Sequence, residues 1–329
     1  MSVASRIKYW RRLFSAYLTP SSSQLTFWHD RPTPELSLAR DPGELGPYYM
    51  RFTQKANYTS LLDPNGVPIL DYRGVIGPQY NPIAIAQYSL GNHTLWLETQ
   101  NDKHLSKCIN ACDWLIENLE PNDQGIPVWH HNFDFEYVET LRSPWYSGLA
   151  QGQGISALLR CYEATKEAKY LEGATLAFRS LTLELNAGGV LHRDGDDLWI
   201  EEYMVTTPTH ILNGFIWAMW GVRDYEISTG DQQAKEIWDR CVATLQNNLA
   251  TFDIGYWSLY DQSSGDRRLK MITSGFYHRL HIIQLQIMWQ LTNIETFQQF
   301  SQNWHAYTGS RAKRTRAKIV KAIFKLLRY

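Results

Sequence analysis

The sequence predicts a mainly α protein, an (α/α) toroid of paired helices with a small β-rich N-terminal segment. Three observations carry that expectation. From Asn81 onward, apolar residues recur at helical spacing over 82–98, 103–119, 147–165, 168–183, 208–229, 231–250, 276–291, 294–306 and 311–328. Gly-, Asp- and Asn-rich stretches at 121–127, 186–197 and 252–266 punctuate these periods. Before Asn81 the character differs: eight prolines fall between residues 19 and 80, among tyrosines and short apolar runs. Helix pairs repeated around an axis make a ring whose inner helices form the core and whose loops frame a cleft at one end. The loose period on its own equally allows an α-solenoid or an irregular bundle.

In chain order, residues 1–44 read as an N-terminal helix followed by an irregular segment. Ile7, Trp10, Phe14 and Leu18 make an apolar stripe at i, i+3, i+7 and i+11 within a basic stretch, either packed on the body or lying on a surface. Residues 45–80 are the β-rich segment. There Asp63-Pro64-Asn65-Gly66 reads as a hairpin turn, since Asn-Gly tolerates positive φ, and it would pair Tyr58–Leu62 with Pro68–Tyr72. Residues 81–310 hold the helical array. Pro82 and Pro208 each suit a first helical position, with Thr206 or Thr207 as the cap before the second. Residues 311–329 form a basic C-terminal helix, with Ile319, Ala322, Ile323, Leu326 and Leu327 at helical spacing.

The chain has 329 residues, 44% of them hydrophobic, enough for a sizeable core. A net charge of −1 argues against a general nucleic-acid binder, so no nucleic acid is expected as a partner. The 13 Trp and 19 Tyr serve either core packing or a sugar groove, where flat rings cover apolar sugar faces. The four cysteines, Cys108, Cys112, Cys161 and Cys241, include no CxxC pair and no zinc spacing with histidine. They read as buried thiols, and no metal is expected. Residues 1–18 lack a continuous apolar stretch of the secretory kind, and no run approaches the ~18 apolar residues of a membrane span. The expectation is a cytoplasmic protein, with two basic amphipathic ends able to touch an anionic inner-membrane surface or an anionic polysaccharide. Solvated end helices are the simpler alternative.

Three segments carry side chains that a scaffold does not need. Ser143–Ser156 places Trp145, Gln151 and Gln153 around Gly148, Gly152 and Gly154 at the opening of a helix, where each Gly costs roughly 1 kcal/mol against Ala. Close approach of a ligand or of another helix explains them equally well. Asp196–Tyr203 brings Glu201, Glu202 and Tyr203 just before a helix N-terminus, either as a charged site or as an exposed acidic loop. Tyr256–Asp261 and Phe276–His281 add Tyr260, Tyr277, His278, Arg279 and His281. Tyr277 and His281 share a helix face, while either His is by default a core histidine.

Together these segments resemble the catalytic domain of the D-glucuronyl C5-epimerase family. The matching runs are Pro82-Ile83-Ala84-Ile85-Ala86-Gln87-Tyr88, Ala150-Gln151-Gly152-Gln153, Glu201-Glu202-Tyr203, Thr206-Thr207-Pro208, Leu212-Asn213-Gly214-Phe215, Tyr260-Asp261, Tyr277-His278 and His281-Ile282-Ile283-Gln284-Leu285, in family order over residues 45–310. The resemblance implies an (α/α) toroid over 81–310 acting on a uronic-acid polysaccharide such as heparosan, without a cofactor, with a homodimer among the assemblies to be weighed. It implies Glu202, Tyr203, Tyr260 and Tyr277 as catalytic residues, with Trp145, Gln151, Gln153, Asn213, His278, Arg279 and His281 as substrate-binding candidates. Two departures stand out. The family's Tyr-Asp-Leu-Arg reads here Tyr260-Asp261-Gln262-Ser263, leaving Arg267, Arg268 or Arg279 to supply the cation. The long N-terminal β-region of the animal enzymes has no counterpart beyond residues 45–80. The alternatives are a polysaccharide lyase, a glycoside hydrolase using Glu202 with Asp261 or Asp197, and a helical-repeat binding protein without catalysis.

Overall fold

The structure is a computed structural model describing residues 31–35, 44–265 and 269–328. The apolar stripe of Ile7 to Leu18, Arg267 and Arg268 lie outside the described residues.

Among the described residues, ten α-helices are interspersed with four two-stranded hairpins. A short α1 (Thr53–Ala56) precedes β1 (Ile69–Asp71) and β2 (Pro78–Tyr80). Helices α2 (Pro82–Thr99) and α3 (Asp102–Glu117) follow, then hairpins β3 (Leu119–Pro121)–β4 (Pro127–Trp129) and β5 (Phe135–Glu136)–β6 (Thr140–Leu141). Next come α4 (Gly148–Thr165), α5 (Ala168–Phe178) and hairpin β7 (Leu191–Asp194)–β8 (Asp197–Ile200). The chain closes with α6 (Leu212–Thr229), α7 (Gln232–Asn248), α8 (Gly275–Thr292), α9 (Glu295–Gly309) and α10 (Arg311–Arg328).

Helices pair as α2/α3, α4/α5, α6/α7 and α8/α9, and α2, α4, α6 and α8 pack side by side in that order as the inner wall. The sequence explains which helix goes where. In α2 every residue from Pro82 to Thr94 is buried, and in α4 every residue from Gly148 to Cys161. A helix apolar all round belongs inside; α3 and α7, with one apolar stripe each, cover the outside. The inner helices approach closely because glycines face each other. A Cβ on Gly152 would lie 2.5 Å from Ala218 Cα, and one on Gly221 would lie 2.3 Å from the Gly152 carbonyl oxygen. Glycine at these positions therefore serves helix–helix contact, which the composition of the 148–154 stretch left open.

A buried ion pair ties the same two helices to the segment before them. Arg160 donates to both oxygens of Asp224, at 2.5 and 3.2 Å, and to the carbonyls of Ser156, Gly46 and Leu45. Tyr49 donates to the same carboxylate at 2.7 Å. With this many donors the desolvated charges are fully engaged.

Several expected boundaries shift. Asn81 caps α2 by accepting from Ala84 N, with Pro82 at the first position, as the proline placement predicts. Pro208, however, does not start a helix, and neither Thr206 nor Thr207 caps one. Glu201 holds 209–210 in a turn by accepting from Thr209 N and His210 N, both at 3.1 Å, so α6 begins only at Leu212. The Asn65-Gly66 turn forms, with Asp63 accepting from Asn65 N and Val67 N. Its strands are reduced to the single bridge Leu62–Pro68, and β1 pairs downstream with β2 instead. The segment 186–197, expected as a loop, contains β7 and the start of β8.

Cys108 and Cys112 on α3 meet Cys161 on α4, their sulfurs within 4.8 Å of one another, with Ser89 Oγ 3.2 Å from the first two. All four cysteines are free and buried. No helix of the described residues is long and apolar enough to cross a membrane.

Candidate active site

Two covalent neighbours, Glu201 and Glu202, leave β8 in opposite roles. Glu201 is spent on structure: besides the two amides of the turn, its carboxylate meets His210 Nδ1 at 2.5 Å. Its carbonyl is pressed against the start of α4, where a Cβ on Gly148 would fall 2.3 Å from it. Anchored this way, the next residue turns inward. The Glu202 carboxylate lies against the first turn of α6 at Gly214, where a Cβ would sit 2.0 Å from Oε2. Only glycine leaves room for it.

Glu202 is 4% exposed, and its Oε2 has no hydrogen-bond partner. Burial pushes its pKa up to about 8; the Tyr203 hydroxyl opposes this, and the charges of Glu201 and Asp261 add to the rise. A carboxyl poised near neutrality with a free oxygen is suited to carry a proton.

A cavity of about 250 Å³ opens in front of it. Glu202, Tyr203 and Tyr277 line it together with Trp145, Asn213, Trp217, His131 and Gln87. Tyr277 is presented by the first turn of α8, which Ser274 caps by accepting from Tyr277 N. Tyr260 packs edge-on against Tyr277 at 5.2 Å and lies within the field of Glu202 and Tyr203; burial, ahead of these neighbours, holds its pKa well above the usual phenol range. Tyr203 lies edge-on to Trp145 at 5.6 Å, and burial likewise raises its pKa strongly. Glu202, Tyr203 and Tyr277 thus line one cavity, and Tyr260 packs behind Tyr277, outside the wall.

Five polar side chains on the wall have buried atoms with no partner: Gln87 Oε1, His131 Nδ1 and Nε2, Glu202 Oε2, Asn213 Oδ1 and Trp217 Nε1. Each orphaned group costs about 1–3 kcal/mol unless a ligand or water completes it. His131 stacks flat on Trp145, centroids 3.9 Å apart, and burial pushes its pKa down to about 3, so it is neutral. Arg31, Arg51 and Lys55 line the same cavity, although Arg51 is paired with Glu98 and Glu35.

Other sequence candidates stand elsewhere. Gln151 is outside the wall, accepting from Trp129 N at 3.0 Å and donating to Ser180 Oγ at 2.9 Å, so it braces β4 against the end of α5. Gln153 lies one layer behind, accepting from Gln87 Nε2 at 2.9 Å. His278 is a core histidine: it stacks on Trp257, its Nε2 donates to the Trp304 carbonyl at 3.1 Å, and its Nδ1 meets Ser258 Oγ at 2.8 Å. His281 meets the same hydroxyl at 3.2 Å. Arg279 points out to solvent. Both histidines, candidates for substrate binding, thus take the default place of core histidines, while α8 turns Tyr277 to the cavity.

Tyr137 had no signal in the sequence. It donates a short hydrogen bond to Asp261, which also accepts from Ser263 at 2.7 Å, and its ring lies 4.9 Å from Tyr203. Asp197 accepts from Asn248 at 2.6 Å on the outside of the array. Both carboxylates that a hydrolase would pair with Glu202 are thereby committed.

Comparison with known proteins gives the following. The profile of the D-glucuronyl C5-epimerase C-terminus matches residues 122–306. A D-glucuronyl C5-epimerase of Caenorhabditis elegans is 28% identical over 238 residues, 65% of this chain but 37% of the worm protein. An uncharacterized protein of Methanocaldococcus jannaschii is 28% identical over 214 residues, 62% of this chain and 67% of its own. Among solved structures, cellobiose 2-epimerase from Bacillus thermoamylovorans superposes with a TM-score of 0.52 at 12% identity, covering 80% of this chain and 64% of that one. This likeness supports the (α/α) toroid. Unsaturated glucuronyl hydrolase from Bacillus sp. GL1 gives a TM-score of 0.47 at 15% identity, covering 68% and 61%.

Proposed function

The chain belongs to the D-glucuronyl C5-epimerase C-terminal family, and from that premise we propose that it inverts C5 of D-glucuronate units within a heparosan-like polysaccharide. The observation that carries this reading is Glu202: a buried carboxyl with its pKa near 8 and one oxygen unpaired, facing the cavity that Tyr277 also lines.

The chemistry asks for what the wall offers. Glu202, as carboxylate, takes the C5 hydrogen as a proton; the C5–H electron pair moves into the uronate carboxyl group. Tyr277 then returns its hydroxyl proton to C5 from the opposite face. Glu202 ends protonated and Tyr277 ionised, and exchange with solvent resets both, so the reaction is redox-neutral. The difficult species is the doubly charged enolate-like carboxylate, which needs preorganised donors and positive charge. Tyr203 orients the sugar and donates to that group, and Tyr260, packed against Tyr277, holds that ring in place. Lys55 and Arg31 supply the cationic wall in place of the arginine missing after Tyr260-Asp261. Asn213, Trp217, Gln87 and His131 have unsatisfied polar atoms aimed at ring hydroxyls, and the Trp145 indole offers an apolar platform.

The test is product analysis of a glucuronate-rich, unsulfated polymer. The reading expects iduronate signals by NMR with chain length unchanged. An unsaturated uronate absorbing in the ultraviolet would make the protein a lyase, and new reducing ends would make it a hydrolase.

A further inference from the structure

Helix α10 carries one broad apolar arc, and the fold covers only part of it. Ala317 and Phe324 are buried, Val320 packs on the core beside them, and Lys313 and Lys321 pin this inner face by donating to the carbonyls of Gly255 and Ile272 at 2.8 and 2.5 Å. On the adjoining, uncovered part of the arc Ile319, Ile323 and Leu326, at i, i+4 and i+7, are 54%, 43% and 54% exposed, with Leu327 at 76% beside them. These are four of the nine large hydrophobic side chains exposed among the described residues. The charge on this helix is one-sided: Arg311–Arg328 contains eight Lys or Arg and no Asp or Glu. Arg311, Arg314 and Lys318, all exposed, flank the apolar row along one edge, while Arg316, in line with Ile323, lies over the Tyr256 ring at 4.1 Å.

We propose that this outer face of α10 docks the protein on an anionic lipid surface, with Ile319, Ile323, Leu326 and Leu327 entering the headgroup boundary and the flanking cations meeting lipid phosphates. An apolar row edged by cations is the arrangement of an interfacial helix. A polyanionic sugar chain would use the cations and leave the isoleucines and leucines unexplained. A second copy of the chain would bring two sets of like charges together across the contact. The polymer cavity lies on the other elements, so docking leaves it free for substrate.

The test uses the full chain and vesicles of phosphatidylcholine alone or mixed with phosphatidylglycerol. Co-sedimentation is expected with the mixed vesicles and not with phosphatidylcholine alone. The double variant I319D/I323D and the double variant R311Q/K318Q should each weaken it by at least about tenfold, with unchanged melting temperature and unchanged C5 exchange on a soluble polymer. The proposal is overturned if the wild type stays in the supernatant with anionic vesicles at low salt, or if I319D/I323D binds them as the wild type does. A dimer in sedimentation velocity that I319D/I323D dissociates, without vesicle binding, would assign the face to self-association instead.

Discussion

Glu202 is where environment most changes what a residue type can do. Its neighbour Glu201 has the same side chain, yet two backbone amides and His210 absorb that carboxylate, while Glu202 is given apolar walls and one unpaired oxygen. Two consequences follow from its pKa of about 8. In the glucuronate-to-iduronate direction only the ionised form accepts the C5 proton, so kcat/KM should climb with pH and level off near 8; a rate falling over that interval would give Glu202 the donor role. Stability runs the other way. Below the ordinary value of 4.5 the folded and unfolded chains both hold the proton and nothing is lost. Between there and about 8 the unfolded chain releases it first, so folding loses stability as pH rises, on the order of a few kcal/mol when complete. E202Q should therefore melt higher than the wild type at pH 8.5 and nearly equal to it at pH 4.5, which calorimetry at the two pH values would measure. Y277F should abolish exchange while shifting the melting point by little, because the ring and its contact with Tyr260 remain. At this scale the sequence was readable where a run was distinctive, as at Glu201-Glu202-Tyr203. Tyr137 and His131 sit among hairpin residues without periodicity, and only the folded β-strands bring them to Tyr203 and Trp145.

Among the elements, the start of α6 shows the sharpest link between a local choice and the site. Gly214 is a poor helix residue, and alanine in an open helix would gain roughly 1 kcal/mol. Here a Cβ would displace the Glu202 carboxylate, so G214A is expected to lower kcat at least about tenfold while the helix itself gains propensity. Wild-type activity in G214A would mean that the carboxylate position is not critical. The Arg160–Asp224 pair fixes α4 against α6, and D224N, leaving the guanidinium without its counter-charge, should cost about 3–5 kcal/mol by denaturant unfolding. Helix cores were legible because full burial leaves an unmistakable apolar composition. Ends were less so: Pro208 was a sound start signal, overridden by a carboxylate nine residues before His210 that only the tertiary turn brings into range.

For the whole molecule, four helix pairs arrange their inner members so that the loops and first turns at one end converge: the turn after β8, the start of α6 and the start of α8. This is why chemistry scattered from Trp145 to Tyr277 meets around one cavity. Helical periodicity was visible in the sequence, but it did not distinguish a ring from a solenoid; the likeness to cellobiose 2-epimerase supports the ring. The three-thiol meeting of Cys108, Cys112 and Cys161 was equally out of reach of spacing, since α4 supplies one member from 49 positions beyond Cys112. The chain spans 37% of the worm epimerase's length.

The most direct measurement of the central claim is hydrogen exchange at C5. A glucuronate-rich polymer incubated with the protein in heavy water should acquire deuterium at C5 of both uronate epimers, and E202Q and Y277F, each confirmed folded, should leave C5 unlabelled. Unlabelled C5 with the folded wild type, or full labelling with E202Q, would contradict the account.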